Sequence, residues 1–92
     1  MAVMLISYDL NAPGQNYDAV IKAIEAYTYI KPLKSGWLID TTQSVSQVRD
    51  GLLRLIDKND TLLVVRFQAF DWASYVGTNV NEWLNSPLRN WG

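Results

Sequence analysis

The stretch Ala2-Val3-Met4-Leu5-Ile6-Ser7-Tyr8-Asp9-Leu10 decides how the rest of this chain is read. Side chains alternate across a strand, so Met4, Ile6, Tyr8 and Leu10 share one face while Val3, Leu5, Ser7 and Asp9 share the other. Both sets carry enough apolar surface to need cover, and the run closes on a carboxylate beside Asn11. Two predicted helices in so short a chain cover one sheet face only. The second apolar set therefore predicts a partner, with Asp9 at the edge of the contact.

Working outward, Asn11-Ala12-Pro13-Gly14-Gln15-Asn16 has turn composition, with Pro fixing φ and Gly free to take positive φ. Tyr17, Val20, Ile21, Ile24 and Tyr27 then recur at helical spacing, with Asn16 as the expected cap and Asp18 in the first turn. Residues 28–34 read as a short edge strand whose ladder is interrupted at Pro32. Ser35-Gly36 turns the chain into Trp37-Leu38-Ile39-Asp40-Thr41, a strand with Trp37 and Ile39 on one face and Leu38 and Asp40 on the other. Ser44-Val45-Ser46-Gln47 has capping-box spacing, and Val45, Val48, Leu52, Leu55 and Ile56 mark one face of a second helix. Gly51 within that helix costs roughly 1 kcal/mol against Ala, which predicts a neighbouring backbone in close approach. Asp57 and Asp60 are turn formers ahead of the fourth strand, Thr61–Phe67, which is again apolar on both faces. The remainder holds aromatics and a short helical pattern through Val80, Trp83 and Leu84 that Pro87 should end.

The order strand, helix, strand, strand, helix, strand predicts an α+β fold of ferredoxin-like βαββαβ type. Its four-stranded antiparallel sheet carries two helices on one face, with a C-terminal aromatic and helical extension. One domain spans 1–92, its core 2–70 and its extension 71–92. At 92 residues a chain buries only roughly 60 to 65% of its unfolded surface, so association would help it. A hydrophobic share of 49% excludes a disordered segment, and no apolar run nears the ~20 residues needed to cross a bilayer. Met1-Ala2-Val3 runs into the strand without the basic start of a secretory signal, so a cytoplasmic location is expected. No cysteine and no histidine are present, which excludes disulfides, thiolate chemistry and an imidazole acid or base. Eight Lys and Arg against nine Asp and Glu give a net charge of −1, which does not announce a nucleic-acid binder; Lys31, Lys34 and Arg66 read as scattered surface cations.

Ile6-Ser7-Tyr8-Asp9-Leu10-Asn11, the Pro13-Gly14-Gln15-Asn16-Tyr17 turn, Gly36-Trp37-Leu38-Ile39-Asp40-Thr41, Asn59-Asp60-Thr61-Leu62-Leu63-Val64-Val65 and Trp72-Ala73 resemble the SinR-like family of small bacterial and phage proteins. More distantly they resemble the small subunit of the CRISPR spacer-acquisition complex and the virulence-associated ribonucleases of the same fold. The CRISPR resemblance implies a homodimer with a strand-end carboxylate from each subunit facing its mate, and Asp9 matches that position. Paired carboxylates of this kind hold one Mg²⁺ or Mn²⁺, which polarises a phosphodiester and lowers the pKa of a bound water. The resemblance is equally compatible with a structural subunit.

Asp9 is thus the candidate catalytic and metal-binding residue of a metal-dependent endoribonuclease. An Asx turn, with its carboxylate accepting from the amides of residues 11 and 12, accounts for it as well. Tyr8, Asn11, Arg66, Phe67, Gln68, Phe70 and Trp72 are the candidate binding residues for a nucleotide or RNA, through stacking and hydrogen bonding, although aromatics at this density also fill cores and dimer contacts. Val3, Leu5, Ser7, Val65 and Phe67 are the expected dimer contact. Asp40 has two readings, a carboxylate beside Asp9 or a solvent-facing side chain on a half-exposed strand. A helix N-terminus near Asn16 or Ser44 offers a phosphate site as any helix does. These residues yield a homodimeric binding module, possessing no membrane segment, as the first expectation and the endoribonuclease as the alternative.

Overall fold

The computed structural model describes residues 2–10, 17–68, 73 and 75–89. Seven elements follow one another: β1 (Ala2–Asp9), α1 (Asp18–Glu25), β2 (Thr28–Leu33), β3 (Gly36–Thr41), α2 (Val45–Leu53), β4 (Thr61–Arg66) and α3 (Thr78–Leu84). The strands form one sheet in the order β2-β3-β1-β4 with every neighbouring pair antiparallel. The α+β class and the four-stranded antiparallel sheet are as the sequence predicts. A third helix joins the two expected to carry the core.

Local chemistry explains most of the boundaries. Ser44 Oγ accepts from the Gln47 N–H at 3.1 Å while Gln47 Oε1 accepts from the Ser44 N–H at 2.8 Å, so α2 opens with the expected reciprocal cap. α1 opens at Tyr17 with no side-chain cap; the predicted cap, Asn16, and the turn before it lie outside the described residues. α2 closes at Leu53, one turn earlier than its apolar pattern suggests. Leu55 and Ile56 fall beyond it and still pack on the core. The register between β2 and β3 shifts between Ile30 and Leu33, where Pro32 breaks the ladder. Gly36 stands opposite Leu33, and a Cβ placed there would lie 2.9 Å from Leu33 Cδ1. A larger residue there would have to push the exposed Leu33 side chain aside.

Gly51 behaves otherwise. The expectation of a backbone in close approach is incorrect, because a Cβ at Gly51 would meet nothing within 4 Å. With Ala23, Ala26, Tyr27, Gln43 and Leu52 it lines a hollow of ≈350 Å³ between the two helices, so its small size leaves space unfilled.

The two sheet faces are covered differently. Val20 and Ile24 of α1 and Val48 and Leu52 of α2 close over Met4, Ile6, Trp37 and Ile39, all buried. On the opposite face Leu38 is buried with Val80 and Leu84 of α3, and Leu5, Ile30, Phe67 and Trp83 pack around them. The premise that this second face lacks cover within the chain is therefore corrected. α3 shields its middle, and the need for a partner is confined to what α3 leaves open.

Candidate functional site

Asp9 stands exposed at the end of β1, opposite Thr61 of β4. Asn11, whose amide the Asx reading uses, lies outside the described residues. Among the described residues no group of three or more His, Cys, Asp or Glu could hold a metal ion. Asp40 shares the face of Asp9 but pairs with Val3, six residues back along β1, which separates the two by about 20 Å. Neither reading of Asp40 holds. It is buried, and Arg89 Nε lies 3.9 Å from its Oδ2. The Arg89 guanidinium in turn sits 4.2 Å over the Trp83 ring.

This triad was not singled out from the sequence, though a signal existed. Asp40 sits on the same face as Leu38 of a strand that needs cover on both sides, and a buried carboxylate requires a cation. Arg89 is the one basic residue after Arg66. Its role is to fasten the end of the α3 segment to β3.

The predicted binding residues do not form one surface. Tyr8 lies on the face covered by α1 and α2, and its hydroxyl accepts from Trp37 Nε1 at 3.0 Å. Phe67 packs against the α3 cluster, while Arg66 and Gln68 are exposed beyond it. Phe70 and Trp72 lie outside the described residues. Lys31 lies on β2 and Lys34 in the turn that follows it, while Arg66 lies on β4 at the other edge of the sheet, so the three cations do not make one patch. Lys31 is engaged with Trp37, its ammonium 5.2 Å from the ring. Asp57 and Asp60 do form the turn before β4: Asp60 Oδ2 accepts from the Asp57 N–H at 2.7 Å, and Asp60 Oδ1 accepts from the Tyr17 hydroxyl at 2.8 Å.

Arg66 does meet one site predicted separately from it. With Ala2, Thr41, Thr42, Gln43, Ser44 and Gln47 it lines a mainly polar cavity of ≈280 Å³ where α2 begins. The guanidinium and the helix start both favour an anion there.

Of the expected dimer contact, Val3 is fully buried and Leu5 and Phe67 are partly covered by α3. Among the described residues β4 stays open on this face at Leu63 and Val65, which are 57% and 40% exposed, and β2 stays open at Leu33. A cavity of ≈280 Å³ lined by apolar side chains, including Leu5, Leu38, Phe67, Val80 and Leu84, lies beneath α3.

No family model matches the chain, and no solved structure matches it. Among the described residues no helix is long and apolar enough to cross a membrane.

Proposed function

We propose that this chain is a homodimeric, ferredoxin-like binding module of SinR-like character that works through protein, nucleotide or nucleic-acid contacts in the cytoplasm. The strand order β4-β1-β3-β2, with α1 and α2 on one face, supports the fold assignment. The observation that carries the assembly is the exposed pair Leu63 and Val65, two neighbouring apolar side chains of the β4 edge that α3 leaves bare. Arg66 beside the start of α2 supports an anionic ligand such as a nucleotide phosphate. The resemblance to the CRISPR small subunit favours a setting in phage or host defence.

Sedimentation equilibrium tests the assembly: the native chain is expected to be a dimer and Val65→Glu a monomer of unchanged circular dichroism. A monomeric native chain overturns the reading.

The exposure of Asp9 at a strand end favours one alternative, a divalent-metal-dependent endoribonuclease holding Mg²⁺ or Mn²⁺ between the two Asp9 carboxylates. Incubation with labelled RNA, with and without Mn²⁺ and beside Asp9→Ala, distinguishes the two. Metal-dependent cleavage lost in an Asp9→Ala protein that still dimerises replaces the binding module with the nuclease.

A further inference from the structure

The two edges of this sheet are built in opposite ways. β2 carries Pro32, Lys31 and a register shift, three devices that discourage another strand from adding to it. β4 carries none of them over Thr61-Leu62-Leu63-Val64-Val65, and among the described residues it pairs with β1 alone. In an antiparallel ladder the backbone groups of alternate residues point to opposite sides. The Phe67 N–H donates to the Val3 carbonyl at 2.9 Å, so the odd-numbered residues of β4 bond β1. Leu62, Val64 and Arg66 consequently aim their N–H and C=O groups away from the sheet.

From this arrangement we propose that β4 adds antiparallel to β4 of a second copy, with the two-fold axis at Val64. The inference rests on the homodimer reading above and deepens it by naming the surface. The register follows from the outward groups. An axis at Val64 pairs Val64 with its copy and Leu62 with Arg66 of the mate, so all outward backbone groups of the strand are bonded. It also sets Leu63 against Val65 of the mate, joining the two exposed apolar side chains into one covered stripe. The neighbouring register, centred on Leu63, needs the backbone of Asp60, whose N–H already donates to the Asp57 carbonyl at 3.0 Å.

The geometry has a consequence for Asp9. Three strand spacings across, and three residues along from the axis on each side, separate the two Asp9 carboxylates by roughly 25 Å. In this dimer no metal bridges them.

The chain has no cysteine, so cross-linking can read the register directly. Leu63 and Val65 of the mate would form a non-hydrogen-bonded pair with Cα atoms about 4.5 Å apart, within disulfide range. Leu63 and its own copy would stand about 8 Å apart, beyond it. Leu63→Cys combined with Val65→Cys is expected to give a covalent dimer on mild oxidation, and Leu63→Cys alone is not. Val64→Pro removes an outward N–H at the cost of some core packing by Val64, and is expected to give a monomer whose circular dichroism shows it folded. Rapid cross-linking of Leu63→Cys alone, or a dimer that the paired cysteines fail to trap, overturns edge pairing at Val64 while leaving a dimer in place. A native chain that sediments as a monomer overturns the homodimer reading itself.

Discussion

The two faces of the sheet are made of equally apolar strands and are covered to very different standards. α1 and α2 bury Val20, Ile24, Val48 and Leu52 against Met4, Ile6 and Ile39, and α2 begins with a reciprocal cap. α3 contributes two buried side chains, Val80 and Leu84, to the other face, and no second helix joins it there among the described residues. Hydrophobicity alone therefore does not fix how tightly a face is closed. The number of interdigitating side chains does, because each one that is missing takes its dispersion contacts with it. The α1 and α2 face holds the fold, and the α3 face is the adaptable one.

The sharpest test of this difference compares two truncations. Ile39→Ala removes a fully buried side chain from the tighter face and is expected to lower unfolding stability by about 4 kcal/mol in urea denaturation. Leu84→Ala enlarges a space that already exists and should cost about 2 kcal/mol, chiefly as faster hydrogen exchange within α3. Equal losses, with α3 amides protected as well as those of α1, would erase the distinction.

Next in size is the fastening of the α3 segment. Asp40 and Arg89 face each other with side chains 4% and 8% exposed, so removing one partner strands the other charge away from water. Asp40→Leu alone is expected to lose about 3 kcal/mol, and Asp40→Leu with Arg89→Met to lose less than either single change. A double variant that loses the sum of the two would show that the charges do not interact.

The tighter face is not filled throughout, and its larger gap is the hollow between α1 and α2. Gly51→Ala meets no atom within 4 Å and removes a poor helix former, so it should raise stability by about 1 kcal/mol. A loss in thermal denaturation would mean that the helix needs the glycine after all.

How far the sequence reached follows from which signals are local. Periodicity located every strand and helix core, and the Ser44 capping box and the break at Pro32 were legible because each is written in neighbouring residues. The face covered by α3 was not, since nothing local to Val80, Trp83 and Leu84 says which surface they meet. The same holds for Asp40 and Arg89, far apart in the chain and joined only by tertiary packing. Gly51 was misread because a helical glycine signals either an approaching backbone or an empty space, and only the fold decides between them. At the candidate site, Arg66 and Ser44 were each visible, but their meeting around one cavity depends on β4 and α2 lying together.

The smallest effect concerns Tyr27, at the mouth of that hollow. Its hydroxyl donates to Gln43 Oε1 at 2.6 Å, and burial pushes its pKa above the ordinary 10.0. The folded chain thus holds the phenolic proton more tightly than the unfolded chain does. The stability linked to this proton is complete below pH 10.0 and is lost as pH rises through the folded value, since the unfolded tyrosine ionises first. Tyr27→Phe should flatten this alkaline decline while leaving the neutral-pH curve lower by the lost hydrogen bond, on the order of 1 kcal/mol. Urea titrations at pH 8 and pH 11 measure both. If the decline between them is as steep in Tyr27→Phe as in the native chain, the hollow is wet enough to solvate the phenolate, and the packed face is looser at this end than its core residues imply.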